Sequence, residues 1–325
     1  MDKQSQAREV VVVTGGAGFI GSHTVERLLE QGHEVIVLDN YSTGKKENLA
    51  FGFDNPRLHI FETNIVDGIW PALSEVESRV GNVTRIIHLA AQTAVVSSIA
   101  NPLDDVRLNY ATTVHVLEYA RYRRVKKVVF SSSAAIYGDT EELPVREDVQ
   151  YAPVSPYGID KLGSEYYMGY YSKVHGIPTT PLRFFNVYGP RQDPKSSYSG
   201  VISIFFDRAI QNQQLRIYGD GLQTRDFVYV GDVARAIVAA TFRDDGAGEP
   251  INIGTGSEVS VNQLAELVIG SVKSTSEIVH VDARAGEILR SCADISRARE
   301  QLDYVPAVTI EQGLMETASF FRETS

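Results

Sequence analysis

The run Val10-Val11-Val12-Val13 feeds directly into Thr14-Gly15-Gly16-Ala17-Gly18-Phe19-Ile20-Gly21, and a second apolar run ends in Asp39, eighteen residues beyond Gly21. No other stretch constrains the fold as tightly, because each piece has a separate chemical job. The glycines let a strand turn sharply into a helix and bring bare backbone N–H groups against a pyrophosphate. A carboxylate closing the next strand accepts hydrogen bonds from an adenosine ribose diol. A glycine triplet alone says little. Placed between a strand and a helix, with the acid at this distance, Gly15, Gly18, Gly21 and Asp39 predict a β-α-β unit that binds a dinucleotide.

The rest of the first half keeps the alternation. Strands are expected at Val10–Val13, Glu34–Leu38, Leu58–Phe61, Arg85–Leu89, Lys127–Phe130 and Thr180–Phe184. Helices are expected at Gly18–Gln31, Leu103–Arg121 and Tyr157–Val174. Such alternation implies an α/β fold, a Rossmann-type doubly wound parallel sheet, with ligands beyond the carboxyl ends of the strands. After Asn186 the regularity weakens and loops rich in Pro, Gly and Ser appear. The expected division is a dinucleotide domain over 1–185 and a smaller α/β lobe over 186–325, with the chain returning to the first domain around 226–255. Net charge is -10, which argues against nucleic acid or an anionic membrane as the main partner. The single cysteine, Cys292, forbids an internal disulfide and suits a cytoplasmic location. No stretch of about 18 apolar residues offers a membrane span, and the seven histidines show no metal-ligand spacing.

Asp39 favours NAD over NADP, because a carboxylate there repels a 2'-phosphate at close range. Lys45-Lys46 is the opposing signal. Small residues in His88-Leu89-Ala90-Ala91-Gln92 leave room for a flat cofactor against the backbone. Tyr157-Gly158-Ile159-Asp160-Lys161 places a phenol and an ammonium on one helix face. An ordinary tyrosine is a poor base at neutral pH. The neighbouring ammonium and the positive charge of an oxidised nicotinamide are expected to lower the Tyr157 pKa. Ser133, closing Phe130-Ser131-Ser132-Ser133, can hydrogen-bond a substrate hydroxyl and share its proton with Tyr157. Asn109 is expected to position Lys161 through its backbone or a water.

Together these pieces resemble the extended short-chain dehydrogenase/reductases, in particular the UDP-hexose and UDP-N-acetylhexosamine 4-epimerases. The resemblance runs over nearly the whole chain. It includes Ser131-Ser132-Ser133-Ala134-Ala135-Ile136-Tyr137-Gly138, Ser155-Pro156-Tyr157-Gly158-Ile159-Asp160-Lys161, Leu182-Arg183-Phe184-Phe185-Asn186-Val187-Tyr188-Gly189-Pro190 and Gly219-Asp220-Gly221-Leu222-Gln223-Thr224-Arg225-Asp226-Phe227. It implies catalysis by Ser133, Tyr157 and Lys161. It further implies NAD contacts from Gly15, Gly18, Phe19, Ile20, Gly21, Asp39, Asn40, Ser42, Thr43, Gly44, Asn64, Ile65, Leu89, Ala90, Ala91, Gln92, Asn109, Tyr157, Lys161 and Phe185. Asn64-Ile65 departs from the family's frequent aspartate-isoleucine, although the asparagine carbonyl can still meet an adenine amino group.

The resemblance also sorts the reactions. The family's dehydratases carry an Asp-Glu pair after the catalytic Ser or Thr, and its decarboxylases usually keep the Glu. Here Ala134 and Ala135 stand there and cannot transfer protons. A C4 epimerisation needs only one acid/base and a hydride acceptor, through a transient 4-keto sugar. The diphosphate of a UDP-sugar needs fixed cations, which the second lobe offers in Arg225 and Arg284. By resemblance the substrate also meets Ser133, Asn186, Val201, Tyr218, Glu287 and Ser291. Ser291 occupies a position where a bulky aromatic restricts relatives to glucose and galactose. Its small size favours UDP-N-acetylglucosamine/UDP-N-acetylgalactosamine, with UDP-glucose/UDP-galactose as a second pair. The helices Leu103–Arg121 and Tyr157–Val174 are expected, again by resemblance, to form a homodimer interface. The rival readings are another nucleotide-sugar enzyme, such as a dehydratase, decarboxylase or reductase, and a non-catalytic NAD-binding regulator, which would generally lack the Tyr or the Lys.

Overall fold

The structure is a computed structural model that describes residues 8–193, 200–243, 246–283 and 288–324. At its centre lies a parallel sheet of seven strands. These are β1 (Val10–Thr14), β2 (Glu34–Asp39), β3 (Leu58–Glu62), β4 (Arg85–His88), β5 (Lys127–Ser133), β6 (Thr179–Phe184) and, from far along the chain, β11 (Ile251–Ile253). Their spatial order is β11-β6-β5-β4-β1-β2-β3. Registers such as Val12↔Ile36 and Val13↔Ile87 show how the apolar runs align. The strands read as continuous hydrophobic runs because both faces are covered. Val11, Val13, Val35 and Val37 point into one core layer, whereas Val12, Ile36 and Leu38 point into the other.

Helices supply the two outer layers. Val25, Leu28 and Leu29 of α1 (Phe19–Glu30) share the first layer with Val233 and Ile237 of α8 (Val230–Thr241). Leu73 and Val76 of α2 (Trp70–Arg79), Val116 and Leu117 of α5 (Thr112–Arg123), and Met168 and Tyr171 of α6 (Pro156–His175) fill the second. Because β2 lies on one side of β1 and β4 on the other, a crevice opens beyond the carboxyl ends of β1 and β4.

The expected helix over Leu103–Arg121 runs unbroken over 102–123 but carries a π-helical turn within it. After the short α3 (Val95–Ala100) come α4 (Pro102–Asp105), a π-helical turn over Val106–Ala111, and then α5. The wider turn is satisfied locally, since Thr112 Oγ1 donates to the Arg107 carbonyl at 3.0 Å. Such bulges re-aim side chains and cluster at functional sites. This one turns Asn109 towards the loop after β4.

The second lobe is built from three small sheets: β7 (Asn186–Tyr188) with β10 (Phe227–Tyr229), β8 (Leu215–Tyr218) with β13 (Ile278–Val281), and β9 (Thr224–Arg225) with β12 (Val259–Ser260). They pack with α7 (Val201–Ile210), α9 (Val261–Val272) and α11 (Ile310–Thr324) around Phe205, Phe206, Leu264, Leu314 and Phe321. Between these pieces, α8 and β11 cross back to the central sheet, and α10 (Ser296–Leu302) follows them against the first core layer. Among the described residues no helix is long and apolar enough to cross a membrane.

Candidate active site

The glycine loop is held by backbone contacts that tolerate no Cβ. Gly15 has φ +69°, and a Cβ on it would lie 2.8 Å from the Ala90 nitrogen, at the mouth between β1 and β4. A Cβ on Gly21 would lie 2.1 Å from the Gly15 carbonyl oxygen, so only glycine lets α1 start this close to the strand. Gly18 and the half-buried Phe19 and Ile20 open that helix, whose N-terminus faces the crevice. Leu89 N donates to the Thr14 carbonyl at 3.1 Å and Ala90 N to Thr14 Oγ1 at 3.2 Å, which fixes the floor.

Asp39 ends β2 as expected and ties the loop down. Its Oδ2 accepts from Ala17 N at 2.9 Å and its Oδ1 from Tyr41 N at 2.8 Å. Burial pushes its pKa up, opposed by the hydrogen bonds from Tyr41, Ala17 and Asn40. The carboxylate keeps acceptor capacity for a ribose hydroxyl. Gly44 brings its backbone against this carboxylate, with a hypothetical Cβ 3.0 Å from both oxygens. Asn40, Ser42 and Thr43 are exposed in the same loop, and Asn40 Oδ1 accepts from Ser42 N at 3.0 Å. The two lysines that favoured NADP are paired with acids: Lys45 meets Asp193 at 2.8 Å and Lys46 meets Glu62 at 3.2 Å. Beyond β3, Ile65 is buried, and the exposed Asn64 spends one carbonyl lone pair on Val66 N at 3.1 Å. The bare loop, the ready helix terminus and the half-used carboxylate fit an NAD molecule.

The proposed acid/base group forms where β5 meets α6. Ser155 caps α6 by accepting from Gly158 N at 3.2 Å, and Pro156 opens it. A Cβ on Gly158 would sit 2.8 Å from the Ala135 carbonyl, so the glycine admits close packing of the helix start on the turn after β5. That packing sets the Tyr157 phenol against the Ser133 hydroxyl, which in turn accepts from Ala135 N at 3.1 Å. Lys161 is 2% exposed; its Nζ donates to the Ser131 carbonyl at 2.7 Å and lies 5.7 Å from the Tyr157 ring centre. A buried guanidinium–carboxylate pair braces the strand end: Arg183 Nε and Nη2 meet Glu165 at 2.9 and 2.7 Å, and Ser132 Oγ donates to the same Glu165. Phe185, at the end of β6, is buried with its ring 6.3 Å from that of Tyr137.

Without the nicotinamide charge, the setting of Tyr157 favours the neutral phenol. The protein alone does not lower the Tyr157 pKa. Burial pushes it up to about 12, only partly opposed by the Ser133 hydrogen bond, and the Asp105 carboxylate adds to the rise. Lys161, whose pKa burial brings down to about 8, still carries its ammonium at neutral pH and holds it in place through the hydrogen bond to Ser131. The Asn109 side chain has partners of its own. It exchanges hydrogen bonds with the Gln92 backbone (2.8 and 3.0 Å) and donates to Asp105 Oδ1 at 3.1 Å. Ala91 and Gln92 are half-buried in this turn.

In the second lobe, Asn186 and Val201 line one small cleft with Gln192 and Phe227. Arg225 is half-buried on β9, with Nη1 donating to the Thr224 carbonyl at 2.8 Å. Tyr218 ends β8 opposite Val281. Ser291 is half-buried beside Cys292, whose carbonyl accepts from Val145 N at 2.7 Å, so the segment spans from the lobe to the first domain. Asp226 anchors it, since its buried carboxylate accepts from Thr255 N (2.7 Å), Thr255 Oγ1 (2.7 Å), Gly256 N (3.0 Å) and Ala293 N (3.1 Å). Arg284 and Glu287 lie outside the described residues. Sequence reasoning assigned no role to Glu165, Asp226, Asp105 or Asp160. Each reads as an ordinary polar residue until the fold surrounds it. Among the described residues no group of His, Cys, Asp and Glu could hold a metal ion.

Known proteins are similar to this chain over nearly all of its length. Residues 11–254 match the model of the NAD dependent epimerase/dehydratase family. A putative UDP-glucose 4-epimerase of Methanocaldococcus jannaschii is 40% identical over 320 residues, covering 97% of this chain and 99% of that protein. A UDP-N-acetyl-alpha-D-glucosaminuronate decarboxylase of Bacillus cytotoxicus is 35% identical over 324 residues, covering 96% and 97%. The solved UDP-N-acetylglucosamine 4-epimerase of Methanobrevibacter ruminantium M1, in complex with UDP-N-acetylmuramic acid, superposes with a TM-score of 0.91 at 34% identity over 98% of this chain and 100% of its own. The glycine loop, the acid that follows it and the sheet order thus have their explanation in descent: the chain belongs to the NAD-dependent epimerase/dehydratase family of extended short-chain dehydrogenases/reductases.

Proposed function

We propose that this protein is an isomerase that inverts C4 of a UDP-sugar. Its first substrates are UDP-N-acetylglucosamine and UDP-N-acetylgalactosamine, and UDP-glucose and UDP-galactose are the second pair. The observation that carries the reading is the Tyr157 phenol hydrogen-bonded to Ser133 beside Lys161, followed by Ala134 and Ala135. This set provides one acid/base and no further group for eliminating water or handling a carboxylate. NAD, when bound in the β1–β4 crevice, supplies a reversible hydride acceptor and a positive ring beside the phenol. Tyr157 takes the proton of the sugar 4-OH and later returns it. Ser133 holds the same oxygen and polarises the transient 4-ketone. Lys161 keeps a positive charge behind the phenol and contacts the nicotinamide ribose. Asn186, Arg225, Arg284 and Glu287 bind the nucleotide, with Val201 and Tyr218 around the base, while Ser291 leaves space for an N-acetyl group. A pair of copies is the proposed assembly. Val96, Ile99, Leu103, Ile159, Tyr166 and Tyr170 are exposed along α3, α4 and α6, and a second copy laid on them would bury a continuous apolar face.

The test is incubation with each UDP-sugar and separation of the products. The expected outcome is interconversion of C4 isomers at constant nicotinamide absorbance, faster for the N-acetyl pair. Tyr157→Phe should cut turnover about 10²–10⁴-fold while dinucleotide content is retained. A pentose or 4-keto-6-deoxy product, or near-normal turnover by the variant, would overturn the reading.

A further inference from the structure

Beneath the Lys161 ammonium the fold buries two carboxyl groups against each other. Asp105, the last residue of α4, is 1% exposed, and Asp160, beside Lys161 on α6, is 6% exposed. Asp105 Oδ1 is fully engaged: Gln92 Nε2 donates to it at 2.6 Å and Asn109 Nδ2 at 3.1 Å. Asp105 Oδ2 and Asp160 Oδ2 are buried atoms that no protein donor reaches. The two carboxyls lie within hydrogen-bonding reach of each other. A pair of carboxylates so placed must hold a proton, because two like charges at contact in a dry site cost more than one proton's release gains. A shared proton also gives each orphaned oxygen its partner.

We propose that Asp105 and Asp160 share one proton and act as a positioning pair for the acid/base site, holding a single negative charge under Lys161. The charged and titratable groups around the pair agree with this. On α6, Lys161 feels Asp105, Glu165 and Asp160, all of which favour its ammonium against burial. Tyr157 feels Asp105, which disfavours phenolate. From the π turn, Tyr110 feels Asp160, and from β4 the buried His88 feels Lys161 and stays neutral, its pKa brought down to about 3 by burial and that cation. Asp104 is exposed and turned to Asn101 Nδ2 at 2.5 Å. One charge on the pair therefore supports the ammonium, whereas two would make the phenol still harder to ionise. Burial and the Asp105 contact raise the Asp160 pKa, in the direction the shared proton requires. The inference rests on the 4-epimerase reading for its kinetic consequence, but the shared proton stands apart from it.

The test therefore has two arms on the dinucleotide-loaded protein. Infrared difference spectra at neutral pH should show the carbonyl band of a protonated carboxylic acid in the wild type, and D160N and D105N should each lack it. Absence of that band from the wild type would overturn the proposal whatever the protein catalyses. In the kinetic arm, D160N retains the greater part of kcat, because its amide donates to Asp105 as the protonated acid did. The D105N/D160N double variant removes the last negative charge. The alkaline limb of its pH profile should move at least one unit towards acid, with about a twofold loss of kcat at neutral pH that grows to about tenfold well above the limb. KM should change little, and thermal unfolding should confirm that the variants fold. An unmoved limb in the folded double variant would reduce the pair to packing and overturn its positioning role. No turnover in any variant or in the wild type, with the band present, would instead sink the epimerase reading.

Discussion

Under the proposed function the glycine loop and the second lobe each fix a phosphorylated ligand, and they are built by opposite means. The loop is a local construction. Gly15, Gly18, Gly21 and Asp39 fall within one β-α-β unit, and the contacts that matter are backbone to backbone. The lobe is assembled from distant segments: β9 pairs with β12, and Asp226 gathers Thr255, Gly256 and Ala293. A backbone-built site has no slack, because an added atom has nowhere to go. A side-chain-built site fails when its hub loses charge or a hydrogen bond.

The sharpest break of this comparison is Gly21→Ala. A Cβ 2.1 Å from the Gly15 carbonyl must drive α1 away from β1. Overpacking of this kind costs about 1–3 kcal/mol or more, and here it displaces the N–H groups meant for the pyrophosphate. The expected outcome is loss of bound dinucleotide in the purified protein, read from its absorbance and by calorimetric titration, with the second lobe still folded. An alanine variant that binds NAD with unchanged affinity would show that the loop has slack after all.

Asp226→Asn is next. The carboxylate accepts four hydrogen bonds at a position that is fully buried. An amide in its place turns two donors towards donors. Leaving one or two buried N–H groups unmatched costs about 1–3 kcal/mol each. The expected result is a lower melting midpoint and a raised KM for the UDP-sugar, with dinucleotide affinity held within about twofold. Equal losses in both ligands would mean that the two regions are not separable.

How much of this was legible in the sequence follows the same division. Val10–Gly21 and Asp39 carry their meaning in order, so the β-α-β unit, the parallel sheet and its crevice could be read directly. Tyr157 and Lys161 are four apart on one helix and could be read too. The π turn could not, because Val106–Ala111 has ordinary helical composition and only the pull of Gln92 and Asp105 on Asn109 distinguishes it. Asp160 was in plain view between Ile159 and Lys161, yet its partner is fifty-five positions earlier. The burial that raises the Tyr157 pKa in the protein without its cofactor was hidden for the same reason: helical spacing shows which groups are neighbours, whereas burial depends on what packs over them.

A pH profile tests the buried end of the comparison with a smaller effect. Lys161 has its pKa brought down from 10.5 to about 8 by burial, partly opposed by Asp105, Glu165 and Asp160. Below about 8 the ammonium is present and supports Tyr157; above it the charge is lost. Turnover should therefore fall towards high pH, approaching tenfold per unit once past the limb. Stability should move the other way. Between about 8 and 10.5 the unfolded chain holds a proton on this lysine that the folded chain has released, so folding gains as pH rises through that window. Parallel measurement of kcat and of the unfolding midpoint in urea separates the two. A fall in both would show that another group governs the alkaline side.

The smallest expected effect comes from repeating the alanine substitution where the backbone is not crowded. Gly270 lies inside α9, with no atom within 4 Å of the position a Cβ would take. Its φ is not in the left-handed region, so alanine fits without strain. The substitution removes conformational freedom from the unfolded chain and replaces the residue least suited to a helix interior, apart from proline. Stability should rise by about 0.5–1 kcal/mol, with turnover and both ligand affinities unchanged. The gain sits near the low end, because Gly270 is in the last turn, where its carbonyl accepts the 3.3 Å bond from Lys273 N that closes the helix. Gly21→Ala and Gly270→Ala therefore make the same chemical change at helical positions with opposite expected signs. If Gly270→Ala also destabilised the protein, crowding around Gly21 would no longer account for the difference between the two regions.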